Sequence, residues 1–486
     1  MFKKILLFLG LALLILVGVL LFNTYRTSAW PIVHKEISLM PLPDSAISHL
    51  SQAVQIPTVS FSDTGAIDTS AFLAFNHFIE KAYPLIHQKL PKTAIRQFSY
   101  VFEWKGKNEA LAPIILMGHY DVVPVEPSAL NKWTVAPFSG KITDSCVWGR
   151  GSADDKMPVI SILEATETML QKGFTPDRTI FLCFGHDEEV RGAGANAIVD
   201  YLESKKIKPE LVIDEGGEMT ESKIKDLNRP AAFIGVAEKG YSSYELTVDI
   251  EGGHSSMPGK ETSIDILASA LQRLRSEPMP ANITPAVRES LHRVGISSTS
   301  FLNRMAANNM WLFEGMAKGI ISETREGTAM IHTTIVPTII ESGIKENVIP
   351  THALAIVNSR ILPGENSKTV EEFIRKKVND ERVKIRKVSK FDSDPSPSTD
   401  FNSPAYKRIE SAVYQTVPNV IPTPYLMIGA TDSRHYRRIS TGVVNFFPTT
   451  DSKGYHGIDE RMPIRDFQRS VNYVTIIIEE SNKEFK

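Results

Sequence analysis

The sequence predicts an α/β protein interrupted by a second, α+β domain, and three observations carry that reading. Short apolar runs at 114–117, 179–184 and 211–213 each lead into a turn or polar residue. Segments of helical period lie between them, the pattern of a sheet with helices on both faces. After Lys239 the order of signals becomes β-α-β-β-α-β, the ferredoxin-like arrangement. The α/β signals then return beyond a polar, proline-containing stretch at 389–403.

Taken in order, Lys3 and Lys4 precede an uncharged apolar run from 5 to 22. At about 1.5 Å per residue this run spans about 27 Å, close to the hydrocarbon thickness of a bilayer. The flanking lysines put the N-terminus in the cytoplasm and the rest of the chain outside it. A cleaved signal peptide is the rival reading, because Thr27-Ser28-Ala29 resembles a small-residue cleavage site. The run is long for such a peptide, and 23–26 separates it from that site, which favours an uncleaved anchor over residues 1–26. The body of the chain is therefore expected at a membrane on the extracytoplasmic side, or secreted if the segment is removed.

Residues 27–43 read as a linker with prolines and no clean periodicity. The first domain begins at 44, with helical spacing at 45–54 behind an Asp44 cap, further helices at 158–171 and 195–203, and an end at 238. The second domain, 239–392, opens with an alternating strand at 244–250 and an amphipathic helix at 262–276. It continues with strands at 329–341 and 353–362, a helix at 368–380 and a strand at 383–388. A long insertion, 279–325, separates its first helix from its second strand. Residues 393–486 resume the first domain and end in a helix at 464–480.

At 486 residues the chain has room for two or three substantial cores. Apolar residues make up 42% and charged residues 23%, with a formal net charge of −2. No long basic run interleaves with aromatics, so nothing argues for a nucleic-acid partner and none is expected; Lys205-Lys206-Ile207-Lys208 reads as a solvated helix end. Cys146 and Cys183 make no disulfide framework. Cys183 lies in an apolar run, where a free thiol acts as a small hydrophobe.

Five segments carry metal-ligand residue types at strand ends or turns. In Gly118-His119-Tyr120-Asp121 an imidazole can bind a metal while a carboxylate two residues on holds its other nitrogen; alone, a satisfied core histidine explains it better. In Gly149–Lys156, Asp154 can offer one oxygen to each of two cations, or the segment is a charged turn capping the next helix. Gly185-His186-Asp187-Glu188-Glu189 places three adjacent carboxylates at a strand end, which costs energy unless cations or water separate them. Val212-Ile213-Asp214-Glu215 and Tyr455-His456-Gly457-Ile458-Asp459 are as well explained by a capped strand end and a surface turn. Together they supply histidines and carboxylates enough for two zinc ions sharing a bridge.

The runs HYDVVP, GRGSADDK, GHDEEVRGAG, VIDEGG, GGHSSMPG, NVIP and HGIDERMP stand in the order and spacing of the aminoacylase/carboxypeptidase-S metallopeptidase family. The sequence resembles that family from about Asp44 to the C-terminus, and most closely its carboxypeptidase-S-like, N-acyl-amino-acid hydrolase branch. The resemblance implies a mixed-sheet, two-zinc exopeptidase-like catalytic domain with an inserted ferredoxin-like lid or dimerisation domain. It implies one zinc on His119, Asp214 and Asp154, and a second on Glu189, His456 and the same Asp154, with Co2+ or Mn2+ as substitutes. Asp121 would orient His119, Glu188 would be the general base, and the Asp154–Asp155 peptide would be cis. His254 would stabilise the oxyanion, in dimeric relatives from the other subunit, so a homodimer is an open expectation. Asn347, Arg360 and the Thr431 turn would contact substrate. That substrate is an amide beside a free carboxylate, either a short peptide or an N-acyl amino acid. Met305, Met310, Trp311, Leu312, Phe313 and Met316 of the insertion would line an acyl pocket or simply pack a core. The competing reading from another class is a binding protein that uses metals only as structure; its mark would be a missing ligand or base, and every such position is filled.

Overall fold

The computed structural model describes residues 1–34, 36–61, 67–143, 145–220, 224–388, 392–450 and 452–485. Residues 389–391 of the expected polar stretch lie outside the described residues. A mixed nine-stranded sheet forms the larger body among them. Its centre is parallel: Ile180–Gly185, Ile114–His119, Leu211–Asp214 and Val443–Asn445 lie side by side. Each of these strands is buried along its whole length, as their unbroken apolar runs require of strands covered on both faces. Antiparallel Ser99–Trp104 and Lys92–Ile95 extend one edge. Ala231–Glu238 and Ile421–Met427 extend the other.

Helix Lys156–Gln171 is buried on nearly every side, because it lies under the sheet and beneath helices Ala46–Gln55 and Ile464–Glu479. Helix Ala193–Ser204 covers the opposite face, with Ile198, Val199 and Leu202 packed on Val101, Ile115 and Phe181. The C-terminal ends of the parallel strands and the loops that leave them carry His119, Glu188 and Glu215, at the end of an α/β sheet where ligand sites form.

The second sheet is antiparallel, in the order Thr334–Ser342, His352–Ile361, Gly240–Asp249, Val383–Lys387. Helices Ser263–Ser276 and Ser367–Val378 pack on it around a core of Tyr244, Leu246, Ile266, Val357, Val370 and Ile374, separate from the cores of the large sheet. Both helices start with reciprocal capping, Thr262 with Asp265 and Asn366 with Thr369. This is the ferredoxin-like order expected from the sequence.

Three local readings differ. The expected strand 329–341 begins instead as helix Arg325–Ile331, because the Thr324 hydroxyl accepts the Gly327 amide and starts a helix; the strand begins at Thr334. The insertion is helical, as Pro285–Ile296, Phe301–Asn308, Met310–Ile321 and Arg325–Ile331. The expected linker is pinned to the body. The Trp30 indole donates to Tyr414 at 2.9 Å, Arg229 donates to the Trp30 carbonyl, and the Met40 amide donates to Asn472 at 2.8 Å.

Arg408 ties the C-terminal segment to the sheet. It is fully buried, pairs with Glu210 at 2.9 Å and donates to the carbonyls of Glu480 and Lys483. Glu210 keeps its other partner, Arg178 at 2.7 Å, so Arg408→Ala loses chiefly the buried packing and the two carbonyl bonds and should lower the unfolding free energy by about 2 kcal/mol in chemical denaturation.

Candidate metal centre

The site begins with His119 at the end of its strand, 2% exposed. Its Nδ1 faces Asp121, 3.1 Å from the backbone oxygen and 3.2 Å from Oδ1, and its Nε2 points the other way. Asp121 is fully buried and also accepts the amides of Glu188 at 3.1 Å and Glu189 at 3.2 Å. One carboxylate therefore fixes both the imidazole and the turn that carries the next two acids.

Asp154 divides its oxygens between the two histidines. Oδ1 is 3.2 Å from His119 Nε2 and Oδ2 is 3.0 Å from His456 Nε2. Glu189 Oε2 stands 3.3 Å from the same His456 nitrogen. The Asp154–Asp155 peptide is cis. Glu460 accepts the amides of Ala153 and Asp154 and is paired with Arg150 at 2.5 Å, which holds this turn against the loop that carries His456.

Beside His119 the structure places Glu215, the neighbour of Asp214. Glu215 Oε1 is 3.2 Å from His119 Nε2. The Asp214 carboxylate accepts, through Oδ2, the Thr431 hydroxyl at 2.7 Å and the Ser433 amide at 3.0 Å. The strand ends at Asp214, and Glu215 stands in the bend that follows it. Thr431 is buried behind the site, bonded to Asp214 and Glu238, while Ala430 meets the cleft. Arg360 reaches that cleft from the second sheet and lies over the Tyr241 ring at 4.9 Å. His254 and Asn347 do not join the cluster. They are exposed side by side on the second domain, where His254 Nδ1 is 2.7 Å from the Ser256 hydroxyl and Asn347 accepts the Ser255 amide.

Two further acids, to which the sequence gives no role of their own, stand in the site. Asp155 accepts the His119 amide through Oδ2, so it lies under the imidazole. Asp432 is buried against Gly192, whose hydrogen cannot be replaced: a Cβ there would stand 1.7 Å from its carboxylate. His186 and Asp187 serve the scaffold instead, bonded to Ser99 and to the Gly194 amide.

Burial pushes the Glu188, Asp155 and Asp432 carboxyls well above the ordinary carboxylate range, and it moves Glu215 up to about 8 with help from the Asp154 charge. Hydrogen bonds that His456 donates to the Asp154 and Glu189 carboxylates raise it to about 10. Crowded acids in a dry place demand positive charge. Glu189 Oε1 and Asp155 Oδ1 are buried without a hydrogen bond among the described residues. His119 gathers Asp154 and Glu189 in one potential ligand set and Asp155 and Glu215 in another, with donor atoms of each set within 4.8 Å of one another. The donors present, imidazole and carboxylate, fit divalent metal ions.

On this evidence the molecule is of the metal-dependent hydrolase class, with its acids and histidines converging at the end of a parallel sheet. Residues 115–480 match the model of peptidase family M20/M25/M40, and the chain belongs to that family. It is 37% identical to a probable carboxypeptidase S-like 2 of Dictyostelium discoideum, over 96% of this chain and 93% of the relative. It is 34% identical to the human N-fatty-acyl-amino acid synthase/hydrolase PM20D1, over 90% of this chain and 87% of that one. Among solved structures, an M20 metallo-carboxypeptidase from Sulfolobus solfataricus aligns with a TM-score of 0.65 at 20% identity, covering 90% of this chain and 99% of that one. The chain is a metallohydrolase of the carboxypeptidase S-like and N-acyl-amino acid hydrolase kind. Its substrates are small molecules of the peptide or acyl-amino acid type.

Proposed function

We propose that the protein hydrolyses N-acyl amino acids, using two metal ions. The observation that carries the substrate reading is the contrast between two cavities that border different acids of the cluster. A cleft of about 1170 Å³ contains Glu188, Glu189 and His456 together with Lys239, Arg360 and Arg434, a cationic wall suited to a free carboxylate. A second cavity of about 470 Å³ begins at Asp155 and Glu215 and is walled by Met157, Phe233, Met330, Tyr425 and Phe447. An acyl chain suits the second and an amino acid's carboxylate the first, with the amide between. The relatives named for N-fatty-acyl-amino acids support the same choice.

In this reading His119, Asp154 and Glu215 hold one ion, and Asp154, Glu189 and His456 the other. Zinc suits the ligand set, with Co2+ or Mn2+ as substitutes. When bound, such ions make hydroxide available near neutral pH and polarise a carbonyl. Asp121 keeps the His119 tautomer that frees Nε2. Glu188 takes a proton from the attacking water and passes it to the departing amine. Arg360 clasps the substrate carboxylate.

His254 acts in the site of a partner subunit. Its exposure on the second domain, away from the cluster of its own chain, supports that role. The edge strand Thr334–Ser342, with Val336, Ile339 and Ile340 exposed, is the surface for pairing. His254→Ala should lower kcat by about 10²-fold with metal content unchanged; steady-state kinetics beside metal analysis reads both.

Among the described residues, one helix, Phe2–Arg26, is long and apolar enough to cross a membrane. We read it as an uncleaved anchor that leaves the body outside the cytoplasm.

The deciding experiment is hydrolysis of N-long-chain-acyl amino acids against acyl-blocked dipeptides, each with and without chelator. Chelator-sensitive release from the acyl amino acids is the expected result. Preference for the dipeptides would make the protein a carboxypeptidase.

A further inference from the structure

We infer that helix Met310–Ile321 of the insertion lies against the same lipid bilayer that the N-terminal helix enters, giving the body a second membrane contact. The inference rests on the reading of Phe2–Arg26 as embedded in a membrane.

The last turns of the N-terminal helix pack on the insertion. Leu16 is half-buried, Leu20 and Thr24 are buried, and the surface they meet is helix Phe301–Asn308. Asn309, itself fully buried, closes the contact: its amide donates to the Leu20 carbonyl at 3.2 Å and its Oδ1 accepts from Asn23 at 2.8 Å. The Tyr25 and Phe301 rings stand 6.0 Å apart. Leu16 and Leu20 belong to the apolar run that ends at Phe22, so they lie about 9 Å and about 3 Å inside that end. Whatever packs on them is brought to the bilayer surface when the run is immersed. The pinned segment after the helix, held through Trp30 and Met40, keeps the body from swinging away.

Helix Met310–Ile321 follows directly, and none of its residues is buried. Met310, Ala317 and Ile321 face inward onto the cluster of Ile283, Val287 and Leu426. Trp311, Leu312, Met316 and Ile320 face outward, 62%, 44%, 52% and 57% exposed, with only Gly315 and Gly319 between them. Its two charged residues, Glu314 and Lys318, are half-buried and paired with each other, and Glu314 also binds Arg288 at 2.6 Å. A helix face this apolar is costly in water and suits the boundary between headgroups and acyl chains. Leu302, 66% exposed on the neighbouring helix, adds to the patch. Met330, in the helix that follows, packs on the same cluster as Met310 and lines the apolar cavity at the metal centre. The lipid-facing helix therefore braces one wall of the cavity proposed for the acyl chain.

The test uses the full chain reconstituted in phosphatidylcholine vesicles, with an environment-sensitive fluorophore on Met316→Cys or Ile320→Cys and a comparison probe on Leu73→Cys. Labelled chain without an introduced cysteine supplies the background from Cys146. Lipids with a quencher in the acyl region should remove most of the emission at 316 and 320 and leave that at 73. Quenching at 316 by aqueous iodide alone would overturn the inference. A probe sheltered from both quenchers would overturn it as well, because that face would then pack on another copy of the chain. If alkaline carbonate strips the chain from vesicles that had quenched the 316 probe, the anchor reading falls and the inference resting on it falls too, whereas iodide quenching of a carbonate-resistant chain overturns the inference alone. A chain that never associates with vesicles would overturn both.

Discussion

Replacing Glu188 by Gln should leave both metal positions filled and lower kcat by about 10²- to 10⁴-fold, the usual worth of a positioned general base. The substitution keeps the volume of the side chain and the amide through which the 188 backbone bonds Asp121. It removes only the ability to carry a proton. Glu188 makes no short contact with either histidine, unlike Asp154, Glu189 and Glu215, so the ligand sets survive its loss. Metal content measured on the gel-filtered variant, beside kcat, separates the two roles. A variant that loses metal would move Glu188 into the ligand set, and one that turns over normally would remove it from the chemistry.

The site was legible where the sequence places an unusual residue type at a strand end. Three successive acids after Ile180–Gly185 have no comfortable structural explanation, and His119 and Asp121 stand two apart, as an extended chain needs for one to hold the other. What stayed hidden is set by directions that sequence spacing does not carry. Asp155 reads as the successor of a ligand, yet its carboxylate folds under the His119 amide. Asp432 enters the site from 240 residues beyond Gly192, and the contact that reveals it exists only in three dimensions. The fold shows the same division. Unbroken apolar runs and alternating strands mark both sheets. The helical insertion was read only as an apolar-rich stretch, because neither periodicity nor composition says whether Trp311 and Met316 point into a core or out of it. Residues 27–43 lack periodicity and so resemble a tether, but their hydrogen bonds to Tyr414, Arg229 and Asn472 depend on surfaces assembled from far along the chain.

The second large effect concerns the pair Asp214 and Glu215, where sequence and geometry point to different ligands. Glu215→Ala should release metal from the His119 side and weaken its retention by more than the roughly 10- to 100-fold that loss of an outer partner costs. Activity should fall with it. Asp214→Asn should be milder, about 10-fold in metal retention, because Asp214 spends Oδ2 on Thr431 and Ser433 and supports the site from behind. The asparagine oxygen can still accept one of those bonds. Thr431→Val should then resemble Asp214→Asn, since it removes the same support from the opposite side. Metal titration of the three variants under one buffer decides the matter. If Asp214→Asn strips the metal and Glu215→Ala keeps it, the ligand is Asp214, as the family resemblance implied, and the strand end must rotate its two carboxylates when the ion binds. If the order is the reverse, Glu215 is the ligand, and the Asp214–Thr431–Ser433 bonds are the scaffold that fixes the strand end while its neighbour faces His119.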